Sequence, residues 1–274
     1  QKELGVPVGL MVGAVGGTPS GFWLSEEMYR SDAACAAAAK AFAPTYKYDE
    51  LVAKYAVDKA KWDEEFAKWK VIADAAKKEG KEAPRPPRGP QPVGKAGETN
   101  SGKVGQLFEA FIRPYVGYGI KGVLWDQGES RTNIVGVDQV TLMGALIGGW
   151  RKAWGQGDFP FLYVEKPSGG GCAFDYSQPM NRLAEKFAPL PKTFPNNPDA
   201  QYSHVAFEQF MKYPNTHMVT SSDLGNGIHP PNKSGYGARA VQVALAVAYG
   251  KGNDDLGPQI FSHSISEGKV TARV

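Results

Sequence analysis

Two short segments carry the side chains best suited to chemistry. In Gly122-Val123-Leu124-Trp125-Asp126-Gln127-Gly128-Glu129-Ser130 an apolar run ends in a polar turn. In Asp223-Leu224-Gly225-Asn226-Gly227-Ile228-His229-Pro230 a lone histidine sits on a glycine-rich loop. An imidazole titrates near neutrality, so His229 can take a proton from a hydroxyl and return it to a leaving alcohol. The Gln127 carboxamide can donate to a developing oxyanion. The glycine-dense run Gly13-Ala14-Val15-Gly16-Gly17-Thr18 offers main-chain amides at Gly16 and Gly17 for the same task. Such a set fits hydrolysis of an ester.

Each group also has a plainer reading. His229 fits a surface turn, Gln127 fits a turn cap, and Glu129 fits a main-chain hydrogen bond as well as it fits a sugar hydroxyl. Asp223 is a candidate to orient the His229 ring from six residues upstream, with a main-chain carbonyl as the alternative. Trp23 lies just past the glycine run and is the better candidate for a substrate platform than Trp125, although both suit a core. Arg131, beside the polar turn, is a second candidate for substrate binding. No Gly-x-Ser-x-Gly elbow occurs, and Ser20 and Ser130 stand near the motifs without that context.

Positioning such groups requires a scaffold, and the chain alternates strand and helix patterns. Val6–Val12, Ile120–Trp125, Phe159–Glu165 and Thr216–Ser221 read as strands. Asp32–Phe42, Val104–Val116, Val140–Trp154 and Ser234–Tyr249 read as helices, the last ended by Gly250. Asn181–Ala188 and Ser203–Lys212 read as short helices, and Ser168–Pro179 as a glycine-rich loop. The alternation predicts an α/β protein, a sandwich built on a parallel sheet. Ligands then bind beyond the carboxyl ends of the strands, where the Gly16-Gly17 loop, the Gln127 turn and the His229 loop should converge. Residues 49–79 form a long helix with Leu51, Tyr55, Trp62, Phe66, Trp69, Ala73 and Ala76 on one stripe, which must pack on something by that edge. Pro84, Pro86, Pro87, Pro90 and Pro92 follow and read as an extended tether. Residues 46–100 are thus a helical, proline-rich insertion in a larger domain.

Bulk properties exclude several classes. The 274 residues are 42% hydrophobic, and 31 basic against 28 acidic residues give a net charge of +3, too balanced to imply nucleic acid or an anionic membrane. No apolar run reaches membrane-spanning length. Cys35 and Cys172 match no metal pattern and read as two free thiols, with pairing as the alternative. No metal or cofactor is expected. The chain begins at Gln1 and shows no signal peptide, as expected for a processed product or a fragment.

The motifs together resemble the sialate O-acetylesterase family within the SGNH-type hydrolases. The resemblance lies in Leu4–Leu10 with Gly16-Gly17-Thr18-Pro19, Ile112-Arg113-Pro114-Tyr115 through Trp125 and Gln127-Gly128-Glu129-Ser130, Trp150-Arg151 with Gly155–Phe161, and Ile228-His229-Pro230 with Asn232-Lys233 and Tyr249-Gly250. It runs from Leu4 to Pro258 outside the insertion. It implies a single domain over residues 1–274, a three-layer, flavodoxin-like sandwich with a parallel sheet. It also implies removal of O-acetyl groups from carbohydrate by a Ser–His mechanism, and a secreted or periplasmic location. His229 matches the catalytic histidine, and Gly17 and Gln127 match positions of oxyanion stabilisation. Asp126 departs from the aromatic or histidine usual before Gln-Gly-Glu. Asn226 and Gly227 stand where an acid often precedes the histidine. The nucleophile's Gly-Gln-Ser-Asn motif would precede Leu4, so the expectation is that it and the first strand lie on a second chain or a missing segment. A non-catalytic carbohydrate-binding remnant and a scaffold recruiting a partner through the long helix are the competing readings.

Overall fold

A computed structural model of the chain describes residues 1–165, 207–221, 224, 233–252 and 262–273. The chain forms two compact units, one of residues 1–18, 113–130 and 146–274, the other of residues 19–112 and 131–145.

The first unit is built on a parallel sheet of β1 (Val123–Trp125), β2 (Phe161–Val164) and β3 (Thr216–Val219), in that order. Trp125, Tyr163 and Met218 share one row of the register, so the three strands deliver their following residues to one edge. Every residue of β2 is buried, and its unbroken apolar run Phe-Leu-Tyr-Val is what a strand covered on both faces requires. Side chains alternate across a strand. Leu162 and Val164 pack with Val219, Tyr236 and Val243, the last two from α5 (Lys233–Tyr249). On the opposite face Phe161 meets Trp125 and Trp150, and Tyr163 meets Phe207 and Phe210. Trp150 belongs to α4 (Gln139–Trp154).

Arg151, one residue on and buried, reaches the other end of the sheet. It donates to Phe159 O at 2.9 Å and Asn215 O at 2.9 Å, fixing the entries to β2 and β3. Helix α5 stops as expected at Gly250, where a left-handed φ of 61° lets the Gly250 and Lys251 amides donate back to Ala246 and Leu245.

Residues 6–12 depart from the expected strand. They form no ladder, and the apolar side chains of Val6, Val8, Leu10, Met11 and Val12 are exposed, Leu10 by 85%. A strand holds its shape through a hydrogen-bonded neighbour, and among the described residues this run has none. A C-terminal hairpin, unanticipated in the sequence, pairs β4 (Ser262–Ser266) with β5 (Lys269–Arg273) around Glu267 and Gly268, both with positive φ.

The second unit holds α1 (Glu26–Arg30), α2 (Ala33–Phe42) and α3 (Tyr48–Lys78). The Asp32 side chain caps α2 by accepting from the Cys35 amide at 2.7 Å. No residue of α3 is buried. Its aromatic stripe packs instead on the proline-rich return: Trp62 Nε1 donates to Pro87 O at 3.0 Å and Trp69 Nε1 to Pro84 O at 2.7 Å, with Phe66 stacked between the two indoles. At the base the Tyr46 hydroxyl donates to Gly94 O at 3.1 Å. The helix expected over residues 104–116 is shorter than its pattern. It is a π-helix at Phe108–Ile112, followed by a 3-10 turn at Arg113–Tyr115 in the first unit. Pro114 has no amide hydrogen to continue it. Phe108 and Ile112 are buried, whereas Phe111 is exposed beside Trp23.

Candidate active site

The polar turn leaves the end of β1. Asp126 and Glu129 are exposed, and Gln127 between them is half-buried. Gln127 Nε2 donates to Thr18 O at 2.9 Å. A carbonyl oxygen only accepts, so this bond orients the amide with its nitrogen toward Thr18 and Oε1 facing away. Oε1 is buried and has no hydrogen-bond partner among the described residues. Thr18 ends the glycine run and closes it through Oγ1, which donates to Val15 O at 2.7 Å. Gly17 has a φ of 71°, a left-handed value that glycine adopts without strain, and both Gly16 and Gly17 are exposed. Gln127 and the Gly16-Gly17 loop are therefore tied together within the first unit.

Gly128 packs against the Cζ end of the Phe207 ring. A Cβ there would stand 2.3 Å from Phe207 Cζ. The absence of a side chain lets the turn seat on the aromatic cluster of Tyr163, Phe207 and Phe210.

A buried polar cluster that the sequence did not disclose follows β2 and β3. Glu165, directly after β2, is 1% exposed, and Ser221, two residues after β3, is wholly buried. The Ser221 amide donates to Glu165 Oε2 at 3.2 Å, and Ser221 Oγ donates to Glu165 O. Tyr236, from α5, packs beside it in the cluster of Leu162, Val164, Val219 and Leu224. Burial pushes the Tyr236 phenol up to about 12, opposed by the Ser221 hydroxyl and reinforced by the carboxylates of Asp126, Glu129 and Glu165. The available signal was an acid in the first position after an all-apolar strand, at the end of a parallel sheet where sites gather.

Asp223 and His229 lie outside the described residues, as does Cys172; Cys35 is a buried free thiol. Trp23 and Arg131 belong to the second unit. Trp23 is 4% exposed beside Phe111, so its ring is a core element there, and a stacking platform needs a bare face. Arg131 is exposed with a φ of 53°, and its carbonyl accepts from the Ser20 amide at 2.9 Å. Among the described residues no group of His, Cys, Asp and Glu could hold a metal ion, and no helix is long and apolar enough to cross a membrane.

Polar groups gathered at the carboxyl ends of a parallel sheet place the chain among mixed α/β proteins with an edge suited to ligands, and its relatives are esterases. A sialate O-acetylesterase of Rattus norvegicus is 31% identical over 163 residues, which covers 54% of this chain and 27% of the relative. The sialate O-acetylesterase of Homo sapiens is 29% identical over 168 residues, 57% of this chain and 29% of the relative. The crystal structure of a carbohydrate acetylesterase from Xanthomonas citri is 27% identical, with a TM-score of 0.44, over 60% of this chain and 34% of that one. No family model matches. The resemblance to sialate O-acetylesterases read from the motifs is thus supported by curated relatives, of whose length the match spans between 27% and 29%.

Proposed function

We propose that this chain is part of a carbohydrate O-acetylesterase that cleaves acetyl esters of sugars by serine-type hydrolysis, on a three-layer SGNH-like sandwich. His229 acts as the general base, with Asp223 or a main-chain carbonyl holding its ring. Gln127 and the amides of Gly16 and Gly17 stabilise the oxyanion, Glu129 binds a sugar hydroxyl or orients a neighbour, and Arg131 contributes to substrate binding. The nucleophilic serine is supplied from outside this sequence. The observation that supports the reading most is the bond from Gln127 Nε2 to Thr18 O. It ties the glycine loop to the polar turn, two of the three segments that the chemistry needs. The similarity to sialate O-acetylesterases is its second support.

Acetate release from an acetylated oligosaccharide, measured on the protein together with the segment that supplies the serine, tests the proposal. Turnover that His229→Ala lowers by roughly 10³-fold or more is the expected result. Binding of the acetylated glycan without any release would instead show a carbohydrate-binding protein that kept the fold and lost the reaction.

A further inference from the structure

The Gln127 side chain has little to hold it. Among the described residues its carboxamide makes one hydrogen bond, from Nε2 to Thr18 O at 2.9 Å, and Oε1 is buried without a partner. Where that amide stands therefore depends on where the main chain of the turn is put. Gly128, the next residue, has the Phe207 ring as its stop: a Cβ on Gly128 would overlap Cζ of that ring and stand 2.9 Å from Cε2. The ring is itself packed. Its centroid lies 4.7 Å from that of Phe210 and 6.0 Å from that of Tyr163, and all three residues are buried. The Tyr163 hydroxyl, from the middle strand β2, donates to the main-chain oxygen of Phe207 at 2.6 Å. A path of direct contacts thus runs from β2 through Phe207 and Gly128 to Gln127.

Packing alone does not call for the hydroxyl. A phenylalanine ring would fill nearly the same volume on β2, and a buried phenol costs free energy unless it is bonded. The bond pins the main chain of the residue whose ring bears on the turn. We propose that Tyr163 and Phe207 are positioning residues for Gln127: the hydroxyl fixes Phe207, and the Phe207 ring sets how Gly128, and with it the Gln127 carboxamide, stands toward Thr18 O. The role deepens the esterase reading and rests on Gln127 as an oxyanion donor. Placement matters there because a misplacement of about 1 Å can cost on the order of 10²-fold in rate.

Two readouts test the role. One is the NMR signal of the Gln127 side-chain amide, assigned by its loss in Gln127→Ala. The other is steady-state acetate release by the protein together with the segment that supplies the serine. In Gly128→Ala the bonded Nε2 hydrogen should shift toward the position of a free amide, and kcat should fall by about 10²-fold at constant KM. Phe207→Leu makes room for the added methyl group, so the combined variant should restore the amide shift and bring kcat to within about tenfold of the native value. A role in stability alone would lower the melting temperature and leave the amide shift and kcat of the folded protein where they were. Should Gly128→Ala fail to fold, Tyr163→Phe removes the bond and keeps the ring, and it should move the same signal and lower kcat about threefold or more. An amide signal unmoved in the folded variants, or a combined variant no better than Gly128→Ala, overturns the proposal. So does a native kcat in a variant whose amide has shifted. A shifted and restored amide in a protein that releases no acetate leaves the placement of Gln127 by Phe207 standing and removes the esterase reading alone.

Discussion

Gln127 reaches from the turn after β1 to the main-chain oxygen of Thr18 at 2.9 Å, across 109 residues of chain. The bond makes the glycine loop and the polar turn one unit, so a change at Gln127 should act on both. Gln127→Ala should lower kcat for acetate release by about 10²–10³-fold, the range for loss of one oxyanion donor. Gln127→Glu should do no better, because a carboxylate oxygen would then face the Thr18 carbonyl with no proton between them. Steady-state kinetics on an acetylated sugar, with thermal melts as a control for folding, check both.

Gly128→Ala should be damaging in spite of its size. The added methyl group would lie 2.3 Å from Phe207 Cζ, inside any tolerable contact, in a cluster where Phe207 is itself packed by Tyr163 and Phe210. Overpacking of this kind costs about 1–3 kcal/mol. A urea midpoint equal to that of the native chain would show that the turn is not seated on the ring.

Arg151→Met tests the opposite end of the sheet. The guanidinium donates to Phe159 O and Asn215 O while 7% exposed; Asn215 O keeps the Phe161 amide, but the substitution leaves the Phe159 carbonyl without its donor. A loss of about 1–3 kcal/mol of stability is expected, read from urea unfolding. No direct effect on KM is expected, since these contacts precede β2 and β3 and the candidate site follows them.

Alkaline pH should loosen both units through their tyrosines. Burial raises Tyr236 to about 12, and Tyr29, whose hydroxyl donates to Gly97 O at 2.8 Å, also to about 12. A phenol raised from 10.0 is still protonated in the folded chain when the unfolded chain has begun to ionise. Stability is therefore fully present below pH 10 and falls as pH rises from 10 to 12, by on the order of 1–2 kcal/mol for each group. Chemical unfolding at pH 8 and pH 11 should show the drop, and Tyr236→Phe should reduce it.

The arm of α3 and its proline-rich return should be removable. Its aromatic stripe is satisfied by Pro84 and Pro87 within the arm itself, and Tyr46 and Gly94 stand together at its base. Replacing residues 47–93 with a short Gly-Ser link should leave the melting temperature within a few degrees. Loss of cooperative unfolding would show that the arm supports the rest of its unit.

The sequence alone located α2, α3, α4, α5 and the three parallel strands, because each rests on local rules. Alanine and heptad-like spacing, an Asp32 cap, a Gly250 stop and an unbroken apolar run at Phe161–Val164 act over a few residues. It also marked Gln127, Gly16 and Gly17 by type and spacing, and with them the family they resemble. What it could not supply was pairing. Val6–Val12 has the composition of a strand, yet strand formation needs a neighbour, and composition carries no record of one. The partner of the Trp62 stripe, the ring beneath Gly128, and the burial of Glu165 against Ser221 likewise join residues from 25 to 79 positions apart. Such contacts arise only when the chain has folded back on itself, so tertiary structure decided them.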